Sequence, residues 1–203
     1  MSAKNHQSII RMTEFAILTA IVLLLHFSGI GIRLPFLGTP ISLTLIPIAL
    51  GAMILGPWAG FALGLIYGLV VFITYGVMGM DPVFTAVLFA NNPIATCLIC
   101  TLKTSLAGLV AGLVFKGLQQ KNSLWATILA SALVPVINTG IFIVGGLFIA
   151  DTLKANFVAE GSTVIYFLVV GVAGINFIFE FLVNTVFSPA LHRLVTVLKK
   201  RIF

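Results

Sequence analysis

The chain has 203 residues, of which 60% are hydrophobic and 8% are charged, and its formal net charge is +6. This apolar fraction excludes an ordinary soluble domain and predicts an integral membrane protein. The positive charge does not indicate nucleic-acid binding, because the basic residues lie at the ends of apolar segments. The apolar runs are about 20 residues long, which predicts helical spans and not the strands of about ten residues that build barrels.

Six membrane-spanning helices in a single domain are predicted from these runs and from the breaks between them. In chain order, the predicted spans are residues 12–30, 40–55, 58–78, 94–118, 124–150 and 163–187. Six spans return the chain to the side on which it began. The basic residues that then share a side with both termini are Lys4, Arg11, Lys116, Lys121, Arg193, Lys199, Lys200 and Arg201. Because Arg33 and Lys154 lie on the other side, the positive-inside rule predicts cytoplasmic termini.

The first span carries Ala16 and Ala20, a pair of small residues four positions apart. Such a pair allows the close approach of another helix, which belongs either to this protein's own bundle or to a partner. An apolar loop from Gly29 to Thr39 follows, with glycine hinges that suit a cap over a pocket. The residues of this loop that we single out are Arg33, Phe36 and Gly38.

The second and third spans are marked by breaks and by small residues. Thr44 and Pro47 interrupt the second span and predict a kink. Glycines follow at spacing four from the end of the second span through the third. These are Gly56, Gly60, Gly64 and Gly68, a pattern that indicates close helix packing. Tyr75 adds a polar tip near the outer end.

The last three spans carry the polar groups that an apolar helix rarely tolerates. Lys103 lies in the fourth span, where a cation costs free energy unless it is partnered or used. Asn138 and Thr139 follow Pro135 in the fifth span, and the sixth span holds Asn176 and Glu180 on one face. The C-x-x-C pair of the fourth span has no nearby histidine and is interpreted as core packing, without a bound metal.

These polar groups lie at depths that predict one pocket opening on the outer side. Lys103 and Thr44 fall in the outer half, while Asn138 and Asn176 fall near the middle. A pocket with a lone cation among amides suits a small ligand that carries a carboxylate. The alternative for Lys103 is that its ammonium reaches the outer interface along its four-carbon stem. For Glu180 the alternative is a structural hydrogen bond to a neighbouring helix.

Motifs of nucleotide hydrolysis and of catalysis are absent from the sequence. No G-x-x-x-x-G-K-[ST] is present, nor an H-E-x-x-H or a nucleophile elbow. There is also no convincing inverted repeat of the kind found in many secondary transporters. The sequence therefore indicates a small membrane protein that binds a ligand and is not an enzyme. It carries no motif for the hydrolysis of a nucleotide that could drive transport.

Three stretches carry a resemblance to a known family. They are TPISLTLIPIALGAMILGPWAGFALGLIYGL at 39–69, NNPIATCLICTLKTSLAGLVAGLVFK at 91–116 and NFIFEFLVN at 176–184. Over nearly its whole length the chain resembles the substrate-binding S components of energy-coupling factor (ECF) vitamin transporters. It is most similar to the pantothenate branch, with the riboflavin branch next. That branch commonly has arginine near the position of Lys103, and lysine keeps the charge but not the bidentate fork.

The resemblance implies a fold, a set of partners and a location. The fold is the six-helix S-component fold, with a vitamin site in the outer half and a gating loop at residues 29–39. Docking through Ala16 and Ala20 joins the chain to a transmembrane coupling subunit beside two cytoplasmic ATPases. The ATPases hydrolyse ATP, so the chain itself needs no cofactor. The location is the bacterial plasma membrane.

Pantothenate is the ligand that the resemblance favours. Its carboxylate would meet Lys103, and its hydroxyl and amide groups would meet Asn92, Asn138, Asn176 and Thr44. Two alternatives stay open. One is riboflavin or another vitamin, stacked on aromatic residues such as Phe36, Phe72, Tyr75 and Phe84. The other is a membrane scaffold or small channel that binds no ligand tightly and works without an ATPase partner.

Overall fold

A computed structural model describes residues 3–28, 43–81 and 83–202, and every regular element in these ranges is helical. The helices are α1 (Ala3–Phe27), α2 (Leu45–Leu55), α3 (Pro57–Val71), α4 (Thr85–Asn91), α5 (Pro93–Leu118), α6 (Ser123–Phe148), α7 (Ala150–Asn156), α8 (Val164–Tyr166) and α9 (Ile175–Ile202). A π-helical segment, Phe72–Val77, extends α3, and another, Phe167–Gly174, joins α8 to α9. The predicted all-helical class is confirmed.

Within the described ranges, five helices are long and apolar enough to cross a membrane. Their ranges are Asn5–Phe27, Pro57–Val77, Pro93–Leu118, Ser123–Phe148 and Val164–Lys199. The remaining predicted span, the second at 40–55, is represented in the described residues by α2, which has 11 residues. A helix of that length is shorter than the roughly 20 residues that a bilayer core requires. The count of six spans and the side of the termini therefore stay predictions.

Pro47 and Pro189 both lie within helices of the structure. The kink predicted at Pro47 is wrong, because α2 begins at Leu45 and Pro47 lies in its first turn, where a missing N–H needs no partner. The sixth span was expected to end near Phe187, yet its helix continues through Pro189 to Ile202. Ser188 explains this continuity, since its Oγ donates to the Thr185 carbonyl at 2.6 Å. The Thr185 carbonyl lies four residues before Pro189, which has no N–H to donate to it.

The glycine stripe brings α3 and α5 into backbone contact, as the sequence predicts. A Cβ added to Gly108 would lie 2.2 Å from the Gly60 carbonyl oxygen, and one added to Gly64 would lie 2.2 Å from the Thr104 carbonyl oxygen. Thr104 Oγ1 donates a hydrogen bond of 2.6 Å to the Gly64 carbonyl across this contact. The two backbones approach so closely that α5 sits at the centre of the bundle, where it positions Lys103.

Replacing Gly108 by alanine should destabilise the protein strongly. The new methyl group would overlap the Gly60 backbone, which cannot move aside as a side chain can. We expect a loss of about 2 kcal/mol or more in the free energy of unfolding. Gly117→Ala on the same helix is the control, because nothing lies within 4 Å of its added Cβ. Thermal unfolding of both variants in detergent measures the effect, and equal midpoints would contradict this packing.

The bundle has two distinct ends. At one end lie the start of α1, the turn at Gly56 and the turn between α5 and α6; we call it the termini end. Lys199 Nζ of α9 donates to Gln119 Oε1 there and lies 4.5 Å from the Phe115 ring centroid. The opposite end holds α4 and α7, and we call it the α4 end. α2, α5 and α9 therefore run towards the termini end, and α1, α3 and α6 run away from it.

Candidate functional site

Lys103 projects from α5 towards α6. Its Nζ lies 5.5 Å from the centroid of the Phe142 ring, in the geometry of a cation–π contact. The side chain is half-buried, and no hydrogen-bond or ion-pair partner for it occurs in the described ranges. Ile99, one turn before Lys103, packs against Gly145 of α6. Lys103 therefore lies on the α6-facing side of α5.

Four phenylalanines form an aromatic cluster beside this cation. Phe84 of the α3–α4 connection is buried, and its ring centroid lies 6.0 Å from that of Phe142 and 5.1 Å from that of Phe157. Phe157 stacks on Phe167 at 5.9 Å with an interplanar angle of 12°. Through Phe142, these rings give Lys103 an apolar surface on one side. In such surroundings the ammonium attracts an anion more strongly than it would in water.

Asn138 supplies a hydrogen-bond acceptor one turn from Phe142 on α6. Its Oδ1 is buried and has no hydrogen-bond partner in the described ranges. Thr139 beside it is half-buried. An unpaired buried oxygen costs about 1–3 kcal/mol, so a donor from a ligand or from water would bind there favourably. Asn138 therefore lies one helical turn from the ring that Lys103 contacts.

The α9 residues are placed by the antiparallel packing of α6 and α9. Thr127 Oγ1 lies 3.4 Å from His192 Nδ1, which fixes the register of the two helices. Counting along both helices from this pair puts Glu180 level with Thr139, and Asn176 one turn closer to the α4 end. Glu180 is buried and Asn176 is half-buried. The packing thus brings the polar groups of α6 and α9 to neighbouring levels.

Thr44 joins the same layer from α2. It lies at the N-cap position of α2 and is buried. Because α2 runs parallel to α5 and Ile48 packs against Gly108, Thr44 lies level with Thr104 of α5. Four helices therefore contribute predicted site residues to one layer of the bundle.

Asn92 and Tyr75 lie outside this layer, nearer the α4 end. Asn92 precedes α5 by one residue and is separated from Lys103 by about 16 Å of helix. Its Nδ2 donates to Thr152 Oγ1 of α7, so this amide links α7 to the start of α5. Tyr75 packs with its ring centroid 5.1 Å from that of His26. The structure does not bring these two residues to Lys103.

His26 is a polar residue of this end to which the sequence analysis assigned no role. Its Nε2 lies 2.9 Å from Thr74 Oγ1, and its ring also contacts Tyr67 at 5.8 Å. His26 and Thr74 are 48 residues apart, so no local sequence pattern predicts their contact. The sequence shows only that a histidine lies at the end of an otherwise apolar helix. The contact ties the end of α1 to the end of α3.

Ala16 and Ala20 are exposed on α1, whereas Leu18 and Val22 face the bundle. The alanine pair therefore does not pack inside this protein's own core, which removes one of the two alternatives for it. A groove of about 310 Å³ lies nearby at the termini end, lined by Met12, Phe15 and Leu55 among others. The groove is far from Lys103 and belongs to a different surface.

The predicted gating residues Arg33, Phe36 and Gly38 lie outside the described residues.

Comparison with known proteins agrees with this architecture. The family model "ECF transporter, substrate-specific component" matches residues 10–191. A solved structure of ThiT from Listeria monocytogenes has the same fold, with a TM-score of 0.66, 22% identity, and coverage of 95% of this chain and 98% of that chain. A comparison with curated proteins finds no match. The chain belongs to the family of substrate-specific components of ECF transporters.

Proposed function

We propose that this S component captures pantothenate in the layer around Lys103. The observation that carries the proposal is a half-buried lysine that has no acidic partner in the described chain and whose ammonium lies over the Phe142 ring. A monocarboxylate supplies the missing negative charge. Pantothenate also carries hydroxyl groups and an amide, whose donors suit the unpaired Asn138 Oδ1 one turn away. Asn176, Thr44, Thr139 and Glu180 offer further polar contacts at neighbouring levels.

Riboflavin is the second candidate, and one observation favours it. The stacked rings of Phe157 and Phe167, with Phe84 beside them, form an apolar wall against which a flat ring system can pack. Riboflavin is neutral and leaves Lys103 without a counter-charge. The charge of the bound ligand therefore separates the two candidates better than its size does.

Transport requires partners in this proposal. The chain has no P-loop, so ATP hydrolysis falls to two ATPase subunits, and a transmembrane coupling subunit joins them to this chain. The chain itself uses no cofactor and is not an enzyme. Its predicted position is the bacterial plasma membrane, with the site layer in the outer half and the basic termini end in the cytoplasm.

Reconstitution in liposomes tests the transport role. With a coupling subunit, two ATPases and ATP on the cytoplasmic side, we expect accumulation of radiolabelled pantothenate. The chain alone should bind the vitamin but accumulate none, because it lacks an energy source. A non-hydrolysable ATP analogue is the matched control. Equal flux of pantothenate with and without the ATPases would support the channel alternative and would contradict this proposal.

A further inference from the structure

The groove at the termini end has a polar part and an apolar part. Its volume is about 310 Å³, and its described lining consists of Ser8, Arg11, Met12, Phe15, Leu55 and Ala59. This volume lies at the lower end of the range for pockets that bind small molecules. Within the described lining, Arg11 carries the charge and Ser8 the hydroxyl, while the other four side chains are apolar. The lining therefore suits an amphipathic molecule better than a wholly apolar one.

The polar and apolar parts of the groove are ordered along α1. Ser8, Arg11 and Phe15 are spaced by three and four residues, so they lie on one face of the helix. Because α1 runs away from the termini end, Arg11 lies nearer to that end than Phe15, by about 6 Å. Ser8 is nearer still. The charge is thus on the water side of the groove, and the apolar walls lie deeper.

Two exposed tryptophans indicate the level of the membrane surface at this end. Trp58 is 75% exposed and adjoins Ala59, and Trp125 is 60% exposed in the first turn of α6. Tryptophan is enriched where a membrane meets water. Since Ala59 and Arg11 line the same groove, the groove lies at the level of Trp58. Arg11 is therefore at the depth of lipid headgroups, and Phe15 is at the depth of the first acyl carbons.

The charge at this end favours an anion in the groove. The described lining contains Arg11 and no acidic residue. Glu14 follows on α1 outside that lining, and the other acidic residues of the chain lie at the α4 end or in the layer around Lys103. A guanidinium has five N–H donors in a planar arrangement that matches phosphate, so Arg11 can bind a phosphate and keep a contact within the protein. The neighbouring basic residues of the termini end add to the attraction.

We propose that this groove is a binding site for one anionic phospholipid. The phosphate of the headgroup binds Arg11 and Ser8, and the upper part of an acyl chain packs on Met12, Phe15 and Leu55. The order of polar and apolar groups in the groove matches that of a lipid molecule in the bilayer. This site is separate from the layer around Lys103, and the inference does not depend on the vitamin proposed above.

Trp58 reports on the occupant of the groove by its fluorescence. The chain has two tryptophans, so Trp125→Phe leaves Trp58 as the single emitter. The full-length variant is reconstituted in phosphatidylcholine vesicles that contain either brominated phosphatidylglycerol or the same fraction of brominated phosphatidylcholine, because bromine quenches a tryptophan that it contacts. We expect the anionic lipid to bind about fivefold more tightly, the factor that one basic residue near the surface contributes. Equal quenching by the two lipids would overturn the proposal.

Trp125 measures how much of this preference comes from the general positive charge of the termini end. Trp58→Phe leaves Trp125 as the emitter, at the start of α6 and away from the groove. We expect a weaker preference for the anionic lipid there than at Trp58. The same preference at both tryptophans would show that the groove adds nothing, and it would overturn the proposal.

Substitutions in the Trp58 reporter locate the headgroup. Arg11→Gln should lower the preference for the anionic lipid to that measured at Trp125, and Arg11→Lys should restore most of it. Lys116→Gln is the matched control, since it removes an exposed cation from the last turn of α5 at the same end. An equal loss in Lys116→Gln and Arg11→Gln would contradict a local site. Arg11 is itself exposed, so its replacement leaves the core intact.

Two further results separate the lipid from other occupants of the groove. Soluble glycerol phosphate should not displace the brominated lipid, because it has no acyl chain to fill the apolar part. Displacement by it would overturn the assignment of the acyl chain. If Arg11→Gln keeps the full lipid preference but no longer assembles with a coupling subunit, the groove belongs to a partner helix and the proposal is wrong.

Discussion

Lys103→Met is expected to weaken pantothenate binding by more than tenfold. The substitution removes the positive charge from the α5 face that packs on Phe142, while it keeps an unbranched side chain of similar length. A hydrogen bond to a charged group contributes about 1.5–3 kcal/mol, and 1.4 kcal/mol already corresponds to a tenfold change in Kd. Isothermal titration of the purified variant with pantothenate measures the loss.

Two companion variants show whether the effect belongs to the site. Lys116→Met removes a cation from the last turn of the same helix, at the termini end, and should leave Kd within about twofold. Lys103→Arg keeps the charge and should retain most of the affinity. An unchanged Kd in Lys103→Met would show that the ammonium does not contact the ligand.

Ala16→Trp together with Ala20→Trp is expected to abolish uptake and to spare binding. Both alanines are exposed on α1, and bulky rings at these positions would keep a partner helix from close approach. The site around Lys103 lies on other helices, so Kd for the vitamin should not change. Uptake in the reconstituted transporter and titration of the isolated chain measure the two quantities separately.

The control for the docking variant is a tryptophan on another exposed surface. Leu129 on α6 is 44% exposed, so Leu129→Trp adds the same bulk away from α1. We expect this variant to retain uptake. Normal uptake by the double alanine variant would contradict docking through this pair. A parallel loss in Leu129→Trp would indicate general damage to the complex.

The features set by local periodicity are predictable from the sequence. The five long helices follow from continuous apolar runs, and the α3–α5 contact follows from glycines at spacing four. Lys103 stands out because a cation inside an apolar helix is costly whatever surrounds it. Each of these signals lies within one segment, and each therefore needs no knowledge of its neighbours in space.

The features set by distant pairs are not predictable in this way. Phe142 under the Lys103 ammonium, Thr152 against Asn92 and Thr74 against His26 join residues that lie far apart in sequence. Asn92 is predicted at the ligand, and the sequence does not indicate its contact with Thr152 of α7. Pro47 was expected to kink a helix that in fact begins beside it. In each case the tertiary contact or the position of the helix end decided the outcome.

Equilibrium binding to the purified chain tests the central claim, that the site selects a carboxylate. The ligands are pantothenate, its neutral alcohol analogue panthenol, riboflavin, and thiamine, which carries a fixed positive charge. The account predicts saturable binding of pantothenate at least tenfold tighter than that of panthenol, a difference of about 1.4 kcal/mol, with riboflavin and thiamine weaker still. Tighter binding of riboflavin or thiamine, or equal binding of pantothenate and panthenol, would contradict it.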